Sequence, residues 1–265
     1  MEAFRCNPVR GFLLDITGVL YNSSPNSLGR AIPGSIEAVN RLYSESRVRF
    51  VSNESSESRY DLAKKLVKLG FNLKEEHIFT PAPIAVRYLK QHALRPYLLV
   101  HQGALKEFAD VVGEEPNCVL MGDAEETFSY DTMNQAFRVL AKLEDPLIVT
   151  VGFGKFYQRI DGPCLDVGGF AKALQYATDA RIITIGKPAE SFFMTAIDDM
   201  GLSKEDVVMI GDDIVSDIGG AMNVGIRAVQ LRTGKWRSDW ENHSIKPHLI
   251  ANNLKEAVNT LLQYR

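Results

Sequence analysis

Short runs of apolar residues alternate along this chain with longer segments in which apolar side chains recur every three or four positions. The first run, residues 12–14, ends at Asp15, and residues 36–43 then place apolar side chains at helical spacing. The next run, residues 48–51, again ends in polar groups. Such runs are typical of buried strands, whereas the longer spacing is typical of helices. The chain therefore begins with a strand, a helix and a second strand.

The alternation continues to the end of the chain and predicts an α/β fold, a doubly wound parallel sheet. We interpret residues 21–29 as a polar, turn-rich excursion, and the Pro-rich or Gly-rich residues 80–83 and 186–188 as candidate domain boundaries. Further strands are predicted at residues 96–101, 118–121, 147–151, 182–185, 207–213 and 226–229. Further helices are predicted at residues 55–69, 84–91, 130–143, 169–177, 191–200, 217–224 and 254–263.

Composition excludes several classes of function. The chain has 265 residues, 45% of them hydrophobic, and a net charge of -3. Without a run of Lys and Arg, we expect neither a nucleic-acid partner nor a membrane partner. The first ten residues lack a long apolar core, so a signal peptide is not expected. Cys6, Cys118 and Cys164 are far apart, and we expect reduced thiols. The expected location is the cytoplasm, with the nucleus as a second location.

Three predicted strands end in groups that can carry chemistry. Asp15 follows the first, Ser52 and Asn53 follow the second, and Asp212 follows a later one. In a parallel sheet the carboxyl ends of neighbouring strands meet at one edge. Carboxylates packed together repel, and a hard divalent cation keeps them ionised. The two aspartates and a backbone carbonyl near Thr17 form an oxygen-only set that suits Mg²⁺.

The other groups at this edge suit an anion. Lys187 supplies a positive charge and Ser52 a hydroxyl, while the turn after Asp15 and a helix start after Asn53 supply backbone N–H groups. An aspartate is ionised at neutral pH and can accept a phosphoryl group, which water then removes. A metal ion and a lysine relieve the repulsion between this aspartate and a phosphate.

Each of these residues also has an ordinary structural interpretation. Asp15 and Asp212 are typical turn acids, Lys187 is typical of a surface position, and the pair at residues 52–53 is typical of a helix cap. All of these coincidences would have to occur at four fitting positions at once, so we favour the functional interpretation.

The structural interpretation is favoured for five other residues. We interpret Glu54 as an acid in the first turn of a helix, in preference to a role in substrate binding. His101 and Asp123 follow predicted strands of the cap; a position that faces the substrate is the alternative, and we favour solvated turn residues. Trp236 and Trp240 are interpreted as packing or subunit-contact residues.

The motifs together resemble the haloacid dehalogenase superfamily of phosphatases. They lie, in order, at residues 15–18, 52–53, 187–188 and 211–217. Residues 52–71 are similar to the subgroup whose α/β cap is inserted between the second and third motifs. The resemblance implies a Rossmann-like core of residues 1–80 and 186–265 and a smaller cap of residues 81–185. It also implies a homodimer.

The resemblance further implies roles for individual residues. Asp15 is the implied nucleophile, and Thr17 and Lys187 complete the implied catalytic set. The implied ligands are Asp15, Thr17, Ser52, Asn53 and Lys187 for phosphate, and Asp15, the carbonyl of Thr17, and Asp212 for Mg²⁺. Asp217 is implied to act indirectly, by orienting Lys187 or a metal-bound water. The role of Asp213 stays open.

At position 17 the chain differs from the pattern of the superfamily, and this difference bears on the substrate. Most phosphatases of the superfamily carry a second aspartate where this chain has Thr17, and that aspartate acts as general acid and base. Such catalysis is typically worth ~10²–10⁴-fold. Its loss affects alkyl phosphate esters most, because an alkoxide is a poor leaving group, and affects P–N and P–O–P bonds less.

Residues 15–21, 95–101 and 211–215 are similar to one group of the superfamily and imply the same kind of substrate: phospholysine, phosphohistidine, imidodiphosphate and inorganic pyrophosphate. The substrate is then a phosphorylated small molecule or a phosphorylated protein side chain. Two alternatives stay open. One is a broad phosphomonoesterase for aryl or sugar phosphates, and the other is a phosphate-binding scaffold in which Thr17 marks lost turnover.

Overall fold

The computed structural model of this chain describes residues 2–5, 7–24, 27–159 and 162–264. Within these ranges the strands are β1 (Gly11–Leu14), β2 (Tyr21–Ser24), β3 (Ser27–Ala31), β4 (Arg47–Val51), β5 (Ile78–Phe79), β6 (Pro96–Leu99), β7 (Cys118–Met121), β8 (Leu147–Thr150), β9 (Phe156–Arg159), β10 (Gly162–Leu165), β11 (Arg181–Thr184), β12 (Val207–Gly211), β13 (Arg227–Leu231) and β14 (Leu249–Ala251). The helices are α1 (Glu2–Arg5), α2 (Ser35–Glu45), α3 (Arg59–Lys68), α4 (Pro81–Gln91), α5 (Tyr130–Leu140), α6 (Val167–Thr178), α7 (Glu190–Met200), α8 (Gly220–Val224) and α9 (Leu254–Leu261). Short 3₁₀ turns cover Glu75–His77, Gln102–Val111, Glu125–Thr127, Lys204–Asp206, Ser238–Asn242 and Leu262–Tyr264, and a π-helical turn covers Ile214–Gly219.

The larger sheet is parallel and has the strand order β14-β13-β12-β1-β4-β5. Helices α2, α3 and α9 bury apolar side chains against one face, and α7 and α8 do so against the other. Strand β1 is buried throughout because both of its faces are covered. The sequence prediction of a doubly wound α/β fold is confirmed.

The smaller sheet is also parallel and has the order β11-β8-β7-β6. Helix α4 and the turn Gln102–Val111 cover one face, and α5 and α6 cover the other. All of these elements lie between Pro81 and Thr184. The smaller sheet and its helices thus come from one continuous segment. This supports the predicted division into a core of residues 1–80 and 186–265 and a cap of residues 81–185, and the division itself stays a prediction.

Two predicted segments differ in the structure. The polar stretch at residues 21–29 is largely an antiparallel hairpin of β2 and β3, in which the exposed face explains the polar sequence. The helix predicted from residue 55 begins at Arg59, because Ser58 caps it by accepting a hydrogen bond from the backbone N–H of Asp61 at 3.2 Å.

Several elements give no clear signal in the sequence. Strands β5 and β14 have two and three residues, too few to show a period. The hairpin of β9 and β10 and the turn Gln102–Val111 were not predicted either. Helix α8 is preceded by the π-helical turn, so the predicted helix at residues 217–224 begins earlier, at Ile214.

Across the described ranges, every helix is too short or too polar to cross a bilayer. Cys118 and Cys164 are free thiols, as predicted, while Cys6 lies outside the described residues. Burial raises the pKa of the Cys118 thiol to about 12, so this cysteine is not a nucleophile at neutral pH.

Candidate active site

The predicted functional groups lie at the carboxyl edge of the larger sheet. Strand β1 pairs with β12 on one side and with β4 on the other, so that Leu14 lies between Ile210 and Phe50. The backbone N–H of Asp15 continues the ladder and donates to the carbonyl of Ile210 at 3.0 Å. The polar residues that follow the three strands therefore meet at one place, as the sequence predicts.

Lys187 is a buried cation at the centre of this edge. Its Nζ lies 2.6 Å from Oδ1 of Asp15 and 2.7 Å from Oδ1 of Asp217, and the residue is only 2% exposed. Burial by itself lowers the pKa of this lysine, but the charges of the two carboxylates more than offset burial and raise it. Lys187 is therefore an ammonium ion at neutral pH, held against Asp15.

Asn53 holds the backbone of Lys187 in place. Its Oδ1 accepts a hydrogen bond from the Lys187 N–H at 2.8 Å, and its Nδ2 donates to the Lys187 carbonyl at 2.9 Å. A residue that follows β4 thus positions a lysine that is 134 positions away in sequence. The side chain of Asn53 is engaged in this contact, so its first role is to position Lys187.

Three buried carboxylates face one another beside this lysine. Asp15, Asp212 and Asp217 each offer an oxygen, and these oxygens lie within 4.8 Å of one another. Burial, and then the charges of Asp15 and Asp217, raise the pKa of Asp212. Among the described residues, Oδ1 of Asp212 has no hydrogen-bond partner, whereas its Oδ2 accepts from the N–H of Lys235 at 2.7 Å. A buried, unpaired carboxylate oxygen is costly, and an oxygen-only set of this kind fits a hard divalent cation.

Two glycines let the backbone close around Asp212. Gly18 and Gly234 both have positive φ, and a Cβ atom on either would lie within about 2 Å of Oδ2 of Asp212 (2.1 Å and 1.9 Å). The hydroxyl of Thr233 donates to the carbonyl of Gly18 at 2.5 Å and joins the two loops. Larger residues at these positions would push the carboxylate out of place.

Asp213, whose role the sequence left open, caps the π-helical turn. Its Oδ1 accepts from the N–H groups of Val215 and Ser216 at 2.9 Å and 3.0 Å, and its Oδ2 lies 3.0 Å from Nζ of Lys235. Burial raises the pKa of Asp213, but Lys235 and these N–H groups outweigh burial and lower it. Lys235 was not predicted as a site residue, because a lone lysine in the loop after β13 gives no signal in the sequence.

A cavity of about 220 Å³ opens at this edge. It is lined by all the residues that the sequence analysis selected, namely Asp15, Thr17, Ser52, Asn53, Lys187, Asp212, Asp213 and Asp217. Its other wall comes from the predicted cap and includes Asp123, Tyr157 and Asp166. The cavity therefore lies between the two sheets.

Two acids of the cavity have surroundings that differ from those expected from the sequence. Glu54 does not lie in a helix, since α3 begins five residues later, and its Oε1 accepts from the N–H of Ser56 at 2.7 Å and from the Ser56 hydroxyl. Asp123 was interpreted as a solvated turn residue, but it is half-buried in the wall of the cavity, where burial and neighbouring acids raise the pKa of its carboxyl to about 7. The N–H donors expected from a helix start after Asn53 are instead those of a loop.

The structural interpretation holds for other residues. His101 caps the turn Gln102–Val111 and accepts from the N–H of Gly103 at 3.1 Å. Trp240 packs against the core beneath α7 and α8, and the guanidinium of Arg232 lies 5.6 Å from the ring centre of Trp236.

Two family models match the chain. A haloacid dehalogenase-like hydrolase model matches residues 12–114, and a HAD-hydrolase-like model matches residues 184–257. Enzymes named phospholysine phosphohistidine inorganic pyrophosphate phosphatase are 47% identical in Xenopus laevis, over 97% of this chain and 96% of the relative, and 48% identical in Homo sapiens, over 97% and 95%.

The fold also matches a solved structure. The 4-nitrophenylphosphatase of Thermotoga maritima superimposes with a TM-score of 0.85 at 24% identity, over 98% of this chain and 99% of that one. Both sheets of this chain therefore belong to a known architecture.

Proposed function

The chain belongs to the haloacid dehalogenase-like hydrolases, and we propose that within this family it is a Mg²⁺-dependent phosphatase that acts on P–N and P–O–P bonds. The substrates we propose are those in the names of its relatives, phospholysine, phosphohistidine and inorganic pyrophosphate, together with imidodiphosphate. The partner is then a phosphorylated small molecule or a phosphorylated protein side chain.

The observation that carries this proposal is the contact between Asp15 and Lys187. The buried ammonium group lies 2.6 Å from Oδ1 of Asp15, and both residues line the cavity. A carboxylate needs no base to act as a nucleophile, but a phosphate dianion repels it. A fixed positive charge at this distance lowers the repulsion and orients the attacking oxygen.

The reaction we propose has two steps. In the first, an oxygen of Asp15 attacks phosphorus and the leaving group departs, which leaves an aspartyl phosphate. In the second, water attacks the same phosphorus and frees Asp15. Lys187 and the hydroxyl of Ser52 bind the phosphoryl oxygens, and Asn53 fixes Lys187 through its backbone.

The metal site we propose consists of Asp15, Asp212 and the backbone carbonyl of Thr17. Oδ1 of Asp212, which has no hydrogen-bond partner in the described part of the chain, and the three close carboxylates fit this role. Bound Mg²⁺ supplies positive charge that offsets the repulsion between carboxylates and phosphate. Asp217 is not one of these ligands. Its Oδ1 lies 2.7 Å from Nζ of Lys187 and holds that side chain in place.

We expect Asp212→Asn to abolish the stabilisation of the protein by Mg²⁺. A ligand present at 100 times its Kd stabilises the folded state by roughly 2.7 kcal/mol, which for a chain of this size raises Tm by several degrees. Thermal unfolding with and without MgCl₂ measures the shift. Asp131→Asn, which removes an exposed acid from α5, is the matched control and keeps the full shift. A full shift in the Asp212 variant would contradict the metal site.

Thr17 bears on which substrates react. It lines the cavity beside Asp15, and its hydroxyl does not release a proton at neutral pH. Leaving groups that depart without a proton from this position are therefore favoured. Pyrophosphate and phosphoramidates with an easily protonated nitrogen meet this condition, and alkyl esters do not.

We expect kcat/KM for pyrophosphate and imidodiphosphate to exceed that for an alkyl phosphate such as glycerol phosphate by about 10²-fold or more. Phosphate release with and without Mg²⁺, extended to phosphohistidine and phospholysine, measures the ratio. Equal rates on alkyl phosphate and pyrophosphate would instead favour a broad phosphomonoesterase.

We also propose a cytoplasmic location, with the nucleus as a second location, and a homodimer. The first is supported by the free thiols of Cys118 and Cys164. The second rests on analogy with other capped phosphatases of the superfamily. Sedimentation of the purified protein tests the oligomeric state.

A further inference from the structure

Asp123 and Asp15 both line the cavity, and they follow strands of different sheets. Asp123 follows β7 at the carboxyl edge of the smaller sheet, whereas Asp15 follows β1 at the carboxyl edge of the larger sheet. The backbone N–H of Asp123 donates to the hydroxyl of Ser55 at 2.9 Å, three residues after Ser52. This contact ties the cap loop to the loop that carries Ser52, so Asp123 has a fixed place in the wall of the cavity.

The surroundings of Asp123 favour proton exchange near neutral pH. Burial, and then the negative charges of Asp166, Glu54 and Glu125, raise the pKa of its carboxyl to about 7. The N–H of Glu125 acts in the opposite direction, by a long hydrogen bond of 3.3 Å to Oδ1. A carboxyl in this state holds and releases a proton at working pH, as a general base requires.

Two other acids of the cavity, Asp166 and Glu54, are held more tightly by hydrogen bonds. Oδ1 of Asp166 accepts from the N–H of Val167 at 2.7 Å and begins α6. Oε1 of Glu54 accepts two hydrogen bonds from Ser56. Asp123 accepts only a long bond in the described part of the chain, which leaves it better placed to bind a water molecule.

The second step of the proposed reaction needs a base on the side of phosphorus that is opposite the oxygen of Asp15. Attacking and leaving oxygens stand roughly in line in phosphoryl transfer. When the oxygen of Asp15 is the leaving atom, water must approach phosphorus from the opposite side, which is the side that the first leaving group vacated. Thr17 cannot take the proton of this water, so general base catalysis of this step needs another group of the cavity.

We infer that Asp123 is the general base that removes a proton from the water molecule that hydrolyses phosphorylated Asp15, an inference that rests on the proposed function. The water oxygen forms a bond to phosphorus, and the bond between phosphorus and the Asp15 oxygen breaks with its electron pair on Asp15. One proton of the water passes to the carboxylate of Asp123 and later to solvent, and inorganic phosphate leaves.

The test is Asp123→Asn, assayed with Mg²⁺ on 4-nitrophenyl phosphate and on pyrophosphate. We expect kcat to fall by about 10²-fold or more on both substrates, because they share the second step. The kcat/KM for 4-nitrophenyl phosphate changes far less, because it reports the first step with a good leaving group. Rapid mixing shows a burst of nitrophenol, and mass spectrometry after acid quench shows one phosphoryl group on Asp15.

Glu126→Gln is the matched control. It removes an exposed acid from the same loop, and we expect neither a burst nor a change in kcat. An Asp123 variant that loses kcat/KM as much as kcat, without phosphorylated protein, would overturn the inference, and so would one that keeps its kcat. If the wild type released phosphate from no compound, the proposed function itself would fail.

The pH profile gives a second readout. Asp123 acts as a base only when deprotonated, so wild-type kcat falls as the pH is lowered through about 7. The amide of the Asp123→Asn variant does not titrate, and we expect the kcat of this variant to be flat over this range. If the kcat of the variant still fell as the pH was lowered through about 7, the inference would be overturned, since another group would then cause this fall.

Discussion

Replacement of Asp15 by Asn is expected to abolish phosphate release. The amide keeps the size of the side chain but loses the charge and the nucleophilic oxygen, so the first step has no attacking group. Removing the nucleophile of a covalent mechanism costs on the order of 10⁴-fold or more in kcat. Phosphate release from pyrophosphate in the presence of Mg²⁺ measures the loss, and acid quench is expected to show no phosphorylated protein.

The same variant tests whether the chain is an enzyme or a phosphate-binding scaffold. Asp131→Asn, which removes an exposed acid far along the chain, is the control and keeps wild-type activity. If wild type and the Asp15 variant both release no phosphate from any compound, the scaffold interpretation is favoured. If the variant keeps a tenth of the wild-type activity, Asp15 is not the nucleophile.

The core half of the site could be predicted because its residues follow strands. Asp15, Ser52 and Asp212 stand directly after β1, β4 and β12, strands of four or five mostly apolar residues that are neighbours in a parallel sheet. In such a sheet the strand ends converge whatever the loops do. The pattern of apolar residues was therefore enough to predict that these three side chains lie close together.

The side of the cavity that comes from the predicted cap could not be predicted in the same way. Asp123 and Asp166 line the cavity together with residues of the larger sheet. Their positions in the sequence do not indicate this. Asp123 was interpreted as a solvated turn residue, because the sequence gives no sign of the hydrogen bond that joins it to Ser55, 68 positions away. Lys235 was missed for the same reason, since its partner Asp213 lies in a different loop.

Asn53 shows what a motif alone leaves open. As one residue of a pair after a strand, it was expected to bind phosphate. Its two side-chain contacts are to the backbone of Lys187, a residue far away along the chain. The motif predicted where Asn53 lies, and the structure adds that it orients the lysine.

Lys187→Met is expected to lower both activity and stability by large amounts. Lys187 is 2% exposed and is paired with Asp15 and Asp217, so its loss leaves two buried carboxylates without a counter-charge. Breaking a buried ion pair by removing one partner costs roughly 3–5 kcal/mol. Loss of a charge aimed at the transferring phosphoryl group costs about 10³-fold in kcat. Urea unfolding and phosphate release measure the two effects.

Two further variants separate the stability effect from the catalytic one. Lys255→Met removes a lysine whose ion pair with Glu37 is exposed, and we expect a change of less than about 1 kcal/mol, since surface pairs contribute little. Adding Asp217→Asn to the Lys187 variant removes one of the two unpaired carboxylates, so part of the lost stability returns. Activity does not return, because Asp15 still lacks its positive partner. If Lys187→Met unfolded at the urea concentration of wild type, or if the double variant regained activity along with stability, the contact between Lys187 and Asp15 would not carry the role given to it.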